Sequence, residues 1–126
     1  MATTRFPTLE EALELHRVLL DRFGGSAGVR DPGALESALF RPQTGSYATM
    51  ALQAAALMQS LSMHYPFVDG NKRVAFALTA IFLRMNGYRV VVSADAAEHF
   101  VVDELIEDHA TLERISTWLT ARLRRT

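Results

Sequence analysis

His64-Tyr65-Pro66-Phe67-Val68-Asp69-Gly70-Asn71-Lys72-Arg73 sets a carboxylate, a glycine, an amide and two cations on one tight turn. Directly behind it, residues 74–85 are apolar apart from Thr79 and Arg84, which predicts a helix buried on nearly every face. The first N–H groups of a helix have no intrahelical partner, and the helix dipole adds partial positive charge beside them. Asn71, Lys72 and Arg73 around such a start make a site for a phosphate or another polyanion. Asp69, just before the glycine, could hold a magnesium ion that shares those phosphates. The pattern points to a nucleotide. Taken alone, the same residues also read as a plain turn with Asp69 as a helix N-cap.

Outward from this turn the chain reads as helix after helix. Thr8-Leu9-Glu10-Glu11 is a capping box, and the helix it opens carries Leu9, Leu13, Leu20 and Phe23 at helical spacing before Gly24-Gly25 stops it. Asp31-Pro32 is an N-cap followed by proline, opening a short helix with Leu35, Ala38 and Leu39 inward and ending before Pro42. Residues 41–47 hold proline, glycine, serine and threonine, so an exposed loop or small flap is expected. An alanine-rich segment, residues 48–63, lets helices approach closely. After the motif helix, Asn86-Gly87 is a stop signal, and residues 88–92 form a connector or one short strand. Ser93 or Asp95 caps a helix with Phe100, Val101, Leu105 and Ile106 on its apolar side. Thr111 starts the last helix, with Leu112, Ile115, Trp118, Leu119 and Leu123 facing inward. The expected fold is an all-α, compact single-domain helical bundle over residues 1–126, built around the central buried helix that follows the phosphate-binding turn.

Composition narrows the function classes. The chain of 126 residues has no cysteine, which excludes disulfides and thiolate metal ligands and fits a reducing compartment. A formal net charge of -1 gives no general attraction to nucleic acid, so no direct nucleic-acid role is expected. The basic run Arg122-Leu123-Arg124-Arg125 suits the negative end of the last helix. The most apolar segment, residues 74–83, is roughly half the ~20 residues a membrane span requires. The N-terminus lacks the apolar stretch of a signal peptide, so the expected location is cytoplasmic. His16, His99 and His109 fall in helical segments with no metal-site spacing among them, and read as surface or satisfied core residues. Arg30-Asp31 and Glu36 read as a structural ion-pair network.

The motif and its setting resemble the Fic/Doc family, specifically its death-on-curing branch, the toxins of type II toxin–antitoxin pairs. The branch pattern His-Pro-Phe-x-Asp-Gly-Asn-Lys-Arg is matched at Pro66, Phe67, Asp69, Gly70, Asn71, Lys72 and Arg73. Phe23-Gly24-Gly25, Gly28-Val29-Arg30-Asp31, Leu35-Glu36-Ser37-Ala38 and Asn86-Gly87-Tyr88 match the branch as well. The resemblance implies that Phe67 anchors the turn and Asp69 ligates magnesium. It implies that Gly70 lets the backbone approach phosphate while Asn71, Lys72 and Arg73 bind the phosphate oxygens. Lys72 stands where the adenylylating Fic enzymes carry glycine, and Phe76 stands where they carry a second arginine. Both differences favour a kinase: transfer of the γ-phosphoryl group of ATP to a threonine of elongation factor Tu. The resemblance also implies an antitoxin whose disordered C-terminal segment folds as a helix across the active-site groove.

One position breaks the pattern. The family histidine that takes the proton from the target hydroxyl aligns with Tyr65, and the chain's own histidine stands one residue earlier, at His64. A free tyrosine is phenolate only about one part in a thousand at pH 7. General-base catalysis contributes ~10²–10⁴-fold, so turnover is expected to be weak. His64 is a poor substitute, because one residue along a helix turns a side chain by about 100°. Three functions stay open: a Doc-like kinase with reduced activity, a catalytically impaired module that binds nucleotide or antitoxin, and a Fic-type adenylyltransferase.

Overall fold

In the computed structural model, which describes residues 3–126, most helices begin at a side chain that satisfies the first turn. The helices are α1 (Leu9–Phe23), α2 (Pro32–Phe40), α3 (Met50–Met63), α4 (Asn71–Met85), α5 (Ala94–His99) and α6 (Leu112–Arg122). Thr8, Asp31, Thr49, Ser93 and Thr111 each accept an N–H from the first turn of α1, α2, α3, α5 and α6. At Thr8 the capping box is complete, with Glu11 reaching back to the cap N–H. Each such cap stabilises a helix by about 1 kcal/mol. The helix α4 differs. Its N-cap is Gly70, in left-handed conformation, and no side chain closes its first turn.

One continuous core runs through the molecule, and α3 and α4 lie against each other along it. The alanine-rich α3 is the more fully enclosed of the two, with Ala54, Ala55, Leu57, Met58 and Leu61 buried. Its small side chains let α4 and α6 pack on opposite sides at close range. The helix α4 buries Val74, Ala75, Leu78, Phe82 and Leu83, while Lys72, Arg73, Ile81 and Arg84 are exposed. Thr79, buried within that face, returns its hydroxyl to Ala75 O at 2.7 Å. The helix α5 runs on into a π-helical stretch, Phe100–Glu107, which brings Phe100 flat against Trp118 with ring centroids 4.2 Å apart.

Three expectations are corrected. The buried face of α1 is Ala12 and His16, flanked by Leu15 and Leu19, whereas Leu9 and Leu13 are 39% and 38% exposed and Phe23 is 55% exposed. Residues 123–125 are not the end of the last helix. Leu123–Arg125 is a strand, β2, which pairs antiparallel with β1 (Tyr88–Val90) in a two-stranded ribbon. Arg125 then lies over the Tyr88 ring at 5.0 Å. Last, Arg30, Asp31 and Glu36 form no ion pair among the described residues; Asp31 caps α2, and Arg30 bonds carbonyls of the motif turn. No helix of the described residues is long and apolar enough to cross a membrane.

Candidate functional site

The motif occupies the turn between α3 and α4, and it is held by three sets of contacts. Phe67 is the first. Its side chain is 1% exposed, a burial worth roughly 1.5–3 kcal/mol, and the His16 ring stacks on it with centroids 3.9 Å apart. Asn71 is the second. Its Oδ1 accepts from Phe67 N and its Nδ2 donates to Phe67 O, both at 2.9 Å. That reciprocal pair ties the first residue of α4 to the anchor of the turn. The third is the loop of residues 26–31, which lies alongside. Val68 N donates to Gly28 O, and Arg30 N and Asp31 N both donate to Pro66 O. Arg30 adds its guanidinium, Nε to Tyr65 O and Nη2 to His64 O, each at 2.6 Å.

Asp69 is fixed from both ends. Its carbonyl accepts the Nε2–H of buried His16 at 2.8 Å. Because a carbonyl only accepts, this bond sets the imidazole tautomer. Its carboxylate accepts Ser26 N at Oδ2 and Gly70 N at Oδ1, at 3.1 and 2.9 Å. The Ser26 amide first, then the Gly70 amide, hold this carboxyl below the ordinary aspartate range, with Arg73 and His16 adding attraction. The exposed group is therefore an anion with lone pairs to spare. Gly25 makes room for it: a Cβ there would come within 2.8 Å of Asp69 Oδ2. At Gly70 the constraint is conformational, since φ is +80° and the nearest atoms to a Cβ are 3.7 Å away.

With Gly70 as N-cap, the leading N–H groups of α4 face outward beside this carboxylate, at the positive end of the helix. Lys72 and Arg73 are both exposed there. The Arg73 guanidinium lies over the Phe23 ring at 4.5 Å, which confines it on the side of α1. Exposed Phe23 is thus a shelf for a cation. Tyr65, one residue before Pro66, is 45% exposed with backbone φ of +46°. That left-handed conformation is uncommon for a bulky side chain and better suited to histidine. His64 is the C-cap of α3, its N–H bonded to Ser60 O.

The donor set is consistent with a hydrated magnesium ion brought in by phosphates. Magnesium is held by one or two carboxylates plus phosphate and water rather than by an all-protein cage. Asp69 supplies one ionised carboxylate, and no group of three or more His, Asp or Glu side chains that could hold a metal exists among the described residues.

His16, Ser26, Arg30 and Phe23 are the residues that sequence reading missed. Each acts through the backbone or through an aromatic face, and nothing in its neighbours along the chain signals that. His16 reads from sequence as a surface or satisfied core residue, and it is the latter, buried and bonded to Asp69 O; what that reading lacks is its contact with the motif turn.

The pattern of the Fic/DOC family matches residues 6–83. Over 94 residues the chain is 39% identical to the toxin Doc of Mycolicibacterium smegmatis, a stretch covering 71% of this chain and 70% of that protein. It is 31% identical over 93 residues to the protein kinase doc of Escherichia phage P1, covering 71% and 74% of the two chains. The family pattern and both matches lead to one assignment: this chain belongs to the Fic/DOC family.

Proposed function

We propose that the protein is a Doc-like toxin that transfers the γ-phosphoryl group of ATP to a threonine hydroxyl of elongation factor Tu. The observation that carries this reading is the uncapped start of α4 behind Gly70, set beside an Asp69 carboxylate kept ionised. Outward N–H groups, Lys72 and Arg73 would receive the phosphate oxygens, and Asp69 would hold magnesium. Magnesium, when bound, neutralises charge on the phosphates. Phosphoryl transfer asks little covalent chemistry of a protein; positioning and charge stabilisation do most of it. Phe67, Asn71 and His16 supply the positioning, since they fix where Asp69 and the first turn of α4 stand.

In the proposed reaction a bond forms from the threonine oxygen to the γ-phosphorus, the bond to ADP breaks, and the hydroxyl proton leaves. Tyr65 occupies the place of the group that takes this proton, and activity is expected to be low for that reason. ATP as donor puts the reaction in the cytoplasm. A cognate antitoxin segment lying in the groove is the proposed partner, as the toxin relatives imply. The Lys72 side chain, in place of the glycine of adenylylating enzymes, disfavours AMP transfer.

The test is Tyr65→His, which the left-handed backbone at this position accommodates. With γ-labelled ATP and elongation factor Tu, label transfer should rise about 10²-fold or more over the parent. Mass spectrometry should find phosphate, not AMP, on the target. No gain in transfer would reject the kinase reading. Tyr65 itself favours a second function, a module that holds nucleotide or antitoxin without turnover. In that case calorimetry would show magnesium-ATP binding by both parent and variant, with transfer by neither.

A further inference from the structure

A cavity of about 420 Å³ lies between α3, the short 3-10 turn Arg41–Gln43 and the linker before α6. Arg41, Gln59, Ser60, Met63, His64 and His109 line it, and none of residues 65–73 does. Arg41 is half-buried in its wall. The guanidinium donates Nε to Tyr47 Oη at 2.7 Å, and Nη1 to Ser60 Oγ and Gln59 Oε1 at 3.0 and 2.9 Å, with Ala56 O at 3.3 Å. Every one of these acceptors is neutral. Arg41 has no carboxylate within ion-pair distance among the described residues, and no acidic side chain lines the cavity.

A partly desolvated cation is ordinarily paired with an anion. Anchoring the 41–47 loop to α3 accounts for Nε and Nη1, but it leaves the Nη2 edge, with its two N–H groups, unused among the described residues. His64 and His109 add imidazole donors to the same cavity. His109 stands there at φ +51°, in the left-handed region. We infer that this cavity is a binding site for an oxyanion group, a carboxylate or a phosphate, with Arg41 as its anchoring cation. The site adjoins the motif turn at His64, includes none of residues 65–73, and stands whether or not that turn transfers phosphate.

The experiment is an NMR titration of the full chain with inorganic phosphate, and separately with acetate, at fixed pH and ionic strength. The imidazole signals of His64 and His109 report on the cavity, and that of His16 reports on the motif turn. A saturable shift of His64 and His109 is expected. Arg41→Gln should weaken the binding at least about tenfold, the loss of one charge-assisted hydrogen bond. Lys72→Ala should leave it within about twofold, since one lost surface charge acts only weakly at this range. If Arg41→Gln does not fold, His109→Asn decides, because asparagine tolerates the left-handed backbone; phosphate must then bind more weakly, read on His64. Absence of a saturable shift, a shift that survives the Arg41 or His109 substitution, or one abolished by Lys72→Ala overturns the site. Preference for phosphate over acetate assigns the ligand to phosphate monoesters, and the reverse assigns it to carboxylates.

Discussion

Replacing Asn71 with alanine tests whether its amide serves the protein before it serves any ligand. The side chain makes two bonds to Phe67, each 2.9 Å and each partly buried. An intramolecular hydrogen bond contributes about 0.5–1.5 kcal/mol net, and a buried partner left alone costs about 1–3 kcal/mol. Phe67 N–H and C=O would both be left without Asn71, although water can reach part of the turn. The expected loss is therefore about 2–3 kcal/mol. For a chain of this size that lowers Tm by roughly 6–12 °C. Urea unfolding should show a lower midpoint with an unchanged slope, since the same surface is exposed. Asn71→Asp keeps the acceptor for Phe67 N but faces Phe67 O with an oxygen, so it should also destabilise. A loss for Asn71→Ala under about 0.5 kcal/mol, the range of neutral surface substitutions, would refute the clamp. The residue would then act only on what binds outside the turn.

Other substitutions separate the remaining contacts. Ser62→Ala should be neutral or stabilise by up to about 1 kcal/mol in chemical denaturation, because the buried Ser62 hydroxyl has no hydrogen-bond partner among the described residues. The Asp69 carboxyl is held low in the folded state, so the stability linked to it is present above the unfolded value near 3.9. It is lost as pH falls through the lowered folded value, and the stability curves of parent and Asp69→Asn should draw together in acid. Gly25→Ala puts a Cβ within 2.8 Å of Asp69 Oδ2 at a φ of +119°, so it should break the Ser26 bond and raise the Asp69 titration midpoint seen by NMR. Phe23→Ala removes the shelf under Arg73. An exposed cation–π contact is worth about 0.5–1 kcal/mol, so stability should change little while phosphate affinity at the motif turn falls about two- to fivefold.

How much of this was legible in the sequence depended on how local each signal was. The capping box at Thr8, the Asp31-Pro32 start and the glycine stops act within four residues, and each helix boundary they mark lies where expected. The rotation of α1 about its axis is not local. Leu9, Leu13 and Leu20 form an apolar stripe, but the helix packs on α4 and α2 with Ala12 and His16 buried, and His16 stacks on Phe67 of the motif turn. Spacing alone does not rank two apolar stripes about 100° apart. The ribbon of β1 and β2 was invisible for a related reason. Leu123-Arg124-Arg125 has no alternation to read, and its pairing with residues 88–90 depends on where α6 happens to end.

Those two kinds of signal also divide the motif itself. The side chains of Phe67 and Asn71, together with both oxygens of Asp69, are engaged with the protein. Lys72, and Arg73 on its phenyl shelf, are exposed beside the open start of α4. Gly70 starts α4 in a left-handed conformation that a capping side chain fits poorly, and relative to glycine such a cap would contribute only a few tenths of a kcal/mol. Here the five other α-helices have one and α4 does not. The start of α4 without a side-chain cap is where two cations and an ionised carboxylate converge, so an anion bound there would meet unpartnered N–H groups. Magnesium-ATP should therefore raise the unfolding temperature of the parent, and raise it less once Lys72 or Arg73 is alanine.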